Sequence, residues 1–239
     1  MHEPPVTPLR SVSRREALGT LSAAGAALAL GCGGSTPTSP STTTASSTAT
    51  VSTNSVCAVT PNETVGPYPS LSDIIRSDVR ESKQGATLSL TIKVVNANAS
   101  CANVTGAQVE IWQCDANGRY HHPGDRSAVA ADPNFQGFGH FVTGQEGSYA
   151  FRTIKPVPYP GRTPHIHFKL RSRDFPEFVT QMYVAGHAQN AGDALLASVP
   201  AGARRSSLLA NFLPIKAPGG TAEYTAQFDI VLGFTPRQA

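Results

Sequence analysis

Between residues 87 and 95 apolar and polar side chains alternate, with Leu88, Leu90, Ile92 and Val94 set against Ser89, Thr91 and Lys93. A two-residue period puts the apolar set on one side of a strand, so a half-buried strand is predicted there. Residues 106–114 carry a second: Ala107, Val109 and Ile111 share one face, and Trp112 points the other way, into a second packing layer. Residues 138–142 and 148–153, separated by a turn at 144–147, read as a hairpin. Residues 165–170 and 178–184 read as two further strands, and 223–232 alternates again and is expected to close the sheet. Residues 193–199 read as a short helix with Asp193 as its N-cap. Gly- and Pro-rich turns join these segments, and no long amphipathic helix interrupts them. The expected fold is all-β: a β-sandwich of mainly antiparallel strands with Gly/Pro-rich loops, over residues 56–239.

The first 55 residues follow a different pattern. Arg14 and Arg15 precede an apolar, Ala-rich run over residues 17–30, which Gly31 and Cys32 close. A positive region, a short apolar run and a small residue make an export signal over residues 1–32, too short to span a bilayer stably. The paired arginines resemble a twin-arginine signal, which exports folded proteins. Cys32 resembles the acylated cysteine of a lipoprotein, although Ala29 stands where that pattern prefers Leu. Residues 33–55 are mostly Ser, Thr, Ala and Pro and cannot bury apolar surface, so a disordered tether is expected. The chain is thus expected to be exported, periplasmic or held outside the cytoplasm, with the membrane as a partner only through that lipid anchor.

Composition narrows the function. The chain of 239 residues has 19 Lys and Arg against 16 Asp and Glu, and the first 55 hold three of the former and two of the latter. The remaining net charge of +2 excludes a strong nucleic-acid or polyanion binder, and no basic run interleaves with aromatics. Three of the four cysteines fall beyond residue 55: Cys57, Cys101 and Cys114. Cys101 and Cys114 sit at opposite ends of one strand region, which disfavours their pairing. Cys57 is the expected partner of one of them, with Cys101 preferred. No nucleophile elbow or phosphate-binding loop is present.

The chemistry concentrates in Tyr159-Pro-Gly-Arg-Thr-Pro-His-Ile-His167. His165 and His167 at i and i+2 on a strand point to one side, about 7 Å apart at strand rise, and converge on a metal as readily as they face solvent. Pro158 and Pro160 stiffen the loop that carries Tyr159. Arg162 adds a permanent positive charge suited to an anionic substrate or intermediate. A deprotonated phenol is a hard anionic ligand, so a Tyr/His mixture selects ferric iron over zinc. Spacing alone does not assign Tyr120, which lies just past a strand end and turn. His121, His122, His140 and His187 read as surface or supporting residues.

Several motifs in order resemble the intradiol ring-cleavage dioxygenases, the protocatechuate 3,4- and catechol 1,2-cleaving enzymes. They are Thr64-Val-Gly-Pro-Tyr68, the run from Gly106 to Tyr120, Asp132-Pro-Asn-Phe, Tyr149-Ala-Phe-Arg-Thr-Ile-Lys-Pro, Pro158-Tyr-Pro and the run from Arg162 to Phe168. The resemblance implies Tyr120, Tyr159, His165 and His167 as ligands of Fe3+, with Tyr159 the one that leaves when the diol binds. It implies Arg162 and Gln181 as catalytic and substrate-binding residues, and Tyr68 as an aromatic that helps close the site. The implied reaction inserts O2 into a catechol to give a muconate-type diacid, with catechol and O2 as the partners and no organic cofactor. Two departures stand out. The segment between Tyr159 and His165 is short, with Gly161 where a bulky aromatic often sits. The helical domain of the catechol 1,2-cleaving members is replaced by the leader and tether, so their dimer is not implied and the oligomeric state stays open. The rival reading is a non-catalytic, transthyretin-like β-sandwich binding module; Tyr120, Tyr159 and Arg162 beside the histidines weigh against it.

Overall fold

The computed structural model describes residues 57–71, 73–133, 135–216 and 222–233. The export signal, Cys32 and the tether lie outside the described residues. In chain order the strands are β1 (Thr87–Asn96), β2 (Ala102–Asn103), β3 (Gln108–Trp112), β4 (Phe138–Val142), β5 (Ser148–Ile154), β6 (His165–Arg171), β7 (Phe178–Val184), β8 (Leu209–Ala210), β9 (Leu213–Lys216) and β10 (Ala222–Leu232). Two short helices, α1 (Ala194–Ser198) and α2 (Ala203–Ser206), fall between β7 and β8.

The strands form two sheets. In the first, β1 lies between β10 on one side and β5 with β2 on the other, and β9 flanks β10. The second runs β4-β3-β6-β7-β8. Every pairing is antiparallel except β1 with β10 and β7 with β8. The expected β-sandwich of mainly antiparallel strands is the architecture observed. Its core is the apolar set the alternation marked: Leu88, Leu90, Ile92 and Val94 of β1 meet Val109, Ile111, Ile166, Phe168 and Leu170 from the second sheet. Each such side chain taken from water contributes about 1.5–3 kcal/mol.

Two expectations need correction. The hairpin over 138–153 does not form, because β4 pairs with β3 in the second sheet while β5 pairs with β1 in the first. The turn between them, closed by Gly147 N–H donating to the Gly144 carbonyl at 3.0 Å, carries the chain from one sheet to the other. Strand–turn–strand looks the same locally in both cases; the long ladder along Thr87–Lys93 and burial of Phe151 in the core decide it. The last strand, β10, also does not close an edge, since β1 and β9 both flank it. Two further expectations within the described residues hold. Asp193 caps α1, its Oδ1 accepting from the Leu195 and Leu196 amides at 3.0 Å each. Cys57 and Cys101 form a disulfide with Cα atoms 6.0 Å apart, and Cys114 is a free, buried thiol.

Candidate active site

Strand β6 shows its period plainly. Ile166, Phe168 and Leu170 enter the core, which turns His165 and His167 to the outer face of the second sheet. Across the ladder His167 sits between Trp112 of β3 and Gln181 of β7, and His165 sits beside Tyr183. The Trp112 ring stacks on His167 with centroids 4.8 Å apart and planes 10° from parallel. The two imidazole centroids lie 4.9 Å apart. The loop through Gly66 closes over His167 so tightly that a Cβ at Gly66 would stand 3.3 Å from its Cε1, and φ there is +75°.

Tyr120 arrives from the end of β3 through a loop that two aspartates hold. Asp115 Oδ1 accepts from the amides of Asn117 and Arg119, and Asp125 Oδ2 accepts from the Tyr120 amide at 2.8 Å. Arg119 Nε meets Asp125 Oδ2 at 3.0 Å. Burial works against ionisation of Asp125, but the Tyr120 and Ser127 amides and Arg119 outweigh it and hold its carboxyl below the ordinary range. Gly118 lies close against the facing loop: a Cβ there would stand 3.1 Å from Tyr159 Cβ, with φ at +76°.

Tyr159 and Arg162 are the ends of one tight turn. Arg162 N–H donates to the Tyr159 carbonyl at 2.9 Å, with Pro160 and Gly161 at the corners and φ of +81° at Gly161, the residue pattern of a type II turn. The turn sets phenol and guanidinium side by side on a cavity of about 520 Å³.

These segments meet at His165. The Tyr120 hydroxyl lies 3.3 Å from His165 Nε2, and the Tyr159 hydroxyl lies 3.5 Å from the same nitrogen. His165 Nδ1–H donates to the Thr163 carbonyl at 2.7 Å, which leaves Nε2 as the lone-pair nitrogen facing both phenols. Burial, reinforced by Arg162, pushes the His165 pKa down to about 4. Burial, then His165 and Arg162, pushes His167 well below its usual range. Both imidazoles are therefore neutral at neutral pH, the form that binds metals. Burial also raises both phenols, Tyr120 far above its ordinary value. Only a strongly Lewis-acidic cation would draw the protons off two such hydroxyls. Among the described residues the buried His167 Nδ1 finds no hydrogen-bond partner, a cost of about 1–3 kcal/mol that sites built for another purpose tolerate. Among the described residues no three His, Cys, Asp or Glu side chains gather as a metal site; the donors that converge are two phenols and two neutral imidazoles. That donor set fits a hard trivalent ion such as Fe3+.

Gln181 and Tyr68 also fall here. Gln181 Oε1 accepts from Arg162 at 2.6 Å. Tyr68 packs on Tyr120 at 5.2 Å and on His122 at 5.6 Å. The sequence reading missed the polar frame behind Arg162. Asp193 Oδ2 accepts from Arg162 Nε at 2.8 Å and from the Thr163 amide at 2.9 Å, so one carboxylate joins the guanidinium to the start of α1. Burial opposes ionisation of Asp193, but the Leu196 amide, Arg162 and the Thr163 amide outweigh it and keep it below the usual range. Glu63 accepts from the Tyr183 hydroxyl at 3.0 Å and the Gln181 amide at 3.1 Å. Two other histidines have partners of their own: His140 pairs with Asp73 at 2.8 Å, and His187 accepts from the Gln189 amide.

A family model described as "Dioxygenase" matches residues 66–233. The protocatechuate 3,4-dioxygenase beta chain of Burkholderia cepacia is 40% identical over 137 residues, covering 54% of this chain and 57% of that one. The chain spans about half the length of the curated relatives it matches. Among solved structures, the dioxygenase domain of a dioxygenase carbohydrate-binding protein fusion from Streptomyces sp. SirexAA-E superposes with a TM-score of 0.56 at 32% identity, covering 72% of this chain and 97% of that one. An intradiol ring-cleavage dioxygenase from Tetranychus urticae gives 0.58 at 25% identity, over 73% and 95%. The chain belongs to the intradiol ring-cleavage dioxygenase family.

Proposed function

We propose that the protein is a non-haem, Fe3+-dependent intradiol dioxygenase that opens catechol-type rings outside the cytoplasm. The observation that carries this reading is the convergence of the Tyr120 and Tyr159 hydroxyls on His165 Nε2, at 3.3 and 3.5 Å, beside the neutral imidazole of His167. Tyr120, Tyr159, His165 and His167 would hold the ion, which supplies a Lewis acid that activates a bound diol toward O2. In the overall reaction the bond between the two hydroxyl-bearing carbons breaks. Both atoms of O2 enter the product as a diacid, and no electron donor is consumed.

The chain's own residues divide the remaining work. Tyr159 is half-buried and faces the cavity, whereas Tyr120 is buried. Tyr159 is therefore the residue placed to move aside, and as the phenolate that the ion would make of it, it could take the proton of an incoming hydroxyl. Arg162 lines the same cavity, held from behind by Asp193 and Gln181, and stabilises negative charge that develops on the ring oxygens. Tyr68 covers the Tyr120 side. The 56–239 domain would stand on the 33–55 tether from a lipidated Cys32 after export, and the Cys57–Cys101 disulfide supports an oxidising compartment.

Protein loaded with ferric iron is expected to show a visible tyrosinate charge-transfer band and to consume O2 when given catechol. Tyr159→Phe should weaken the band and slow turnover while leaving the circular dichroism unchanged. A colourless, inactive protein after iron loading would sink the reading.

A further inference from the structure

We infer that the substrates are uncharged catechols bearing a bulky neutral arm, rather than small carboxylated ones. The inference rests on the ring-cleavage reading and concerns the cavity that Tyr159 and Arg162 share. Its volume of about 520 Å³ falls in the range of about 300–1,000 Å³ that buries drug-sized ligands, well beyond one catechol ring. The wall is cut back at two places, one at a corner of the turn and one beside Asp193. Gly161 and Gly192 both line the cavity, and a Cβ at either would meet nothing within 4 Å. The cavity therefore has room beside Tyr159 and Arg162 for more than a single ring.

Its charge points the same way. The charged residues on its wall are Arg162 and Asp193, and they pair with each other at 2.8 Å. A further guanidinium hydrogen bond goes to Gln181 at 2.6 Å. Glu63 stands behind Arg162, one Tyr183 hydroxyl away. Gln189 and Gly192, also on the wall, carry no charge. A carboxylate on the substrate arm would lose water and find no uncommitted cation. A neutral arm meets no such penalty.

The test compares catechol, 3,4-dihydroxybenzoate and the benzyl ester of that acid on the iron-loaded protein, by oxygen uptake and by anaerobic titration calorimetry. The ester is expected to exceed the acid at least tenfold in kcat/KM and in affinity. Gln189→Lys should narrow that ratio by supplying a free cation. Gly192→Phe, at a site with open space and no positive φ, should lower the ester-to-catechol ratio several-fold. An acid handled as well as its ester overturns the charge half of the inference. A ratio untouched by Gly192→Phe overturns the arm half. Protein that binds the ester over the acid but consumes no O2 with any diol keeps this inference and loses the ring-cleavage reading.

Discussion

Strand β6 has two faces with opposite physical economies. Ile166, Phe168 and Leu170 enter an apolar core and gain from leaving water. One residue out of step, His165 and His167 are just as buried, at 1% and 3% exposure, but burial costs them: it drives their protons off. The outer face also fades along its length, from His165 and His167 through half-buried Lys169 to exposed Arg171. The core face is held by its own packing, whereas the site face is held in place by it. The strand stays where it is because of its even-numbered side chains, so the odd-numbered ones are free to serve chemistry.

That division can be broken from either side. The largest effect expected is for His167→Leu: iron uptake and oxygen consumption should fall more than about a hundredfold, beyond the typical effect of losing a supporting residue. Because His167 Nδ1 has no partner, the iron-free variant should unfold in urea at the same midpoint as wild type or higher. A clearly lower midpoint would mean that the site face stabilises the fold after all. Ile166→Ala should do the reverse, costing about 2–5 kcal/mol in urea while iron content and turnover per folded molecule hold.

A smaller, pH-dependent effect tests the frame behind the site. Burial raises Glu63 from 4.5 to about 7, against the opposing hydrogen bond from Tyr183. A carboxyl whose folded pKa is raised contributes stability that is fully present below its unfolded value and lost as pH rises through about 7. Over about pH 4.5 to 7 Glu63 therefore works against His165 and His167, whose lowered pKa values make stability rise with pH, and Glu63→Gln should make the net rise of the iron-free protein steeper. A slope unchanged by the substitution would remove Glu63 from that balance. The smallest effect belongs to Arg171→Ala. Its exposed pairing with Glu177 at 2.9 Å should be worth less than about 1 kcal/mol, vanish in salt and leave turnover alone.

Much of the site was legible because it is local. The His-x-His spacing and the Pro-Gly turn set the directions of Tyr159, Arg162, His165 and His167 within nine residues. Asp193 was legible as a helix cap but not as the partner of Arg162, 31 residues away. Glu63 gave no signal at all, since its contact with Gln181 spans 118 residues. Tyr120 is intermediate. The turn that carries it can be read from Asp-Ala-Asn-Gly, but the Asp125 carboxylate that pins its amide comes from further along the loop.

By itself the sequence determined which side of each strand is apolar and where the chain turns, and it favoured Cys57 with Cys101, the pair the structure forms. These follow from the two-residue period, from the φ demands of Gly and Pro, and from the reach of a disulfide. Only the tertiary structure decided which sheet each strand joins. The segments on either side of Gly144–Gly147 have the pattern of a hairpin, and distant ladders with β1 and β3 separate them. It also decided that two tyrosines 39 positions apart in the numbering meet at one imidazole nitrogen. Period and turn chemistry are short-range sterics that a few residues specify. Ladder choice and convergence depend on which remote surfaces bury each other, and no local pattern encodes that.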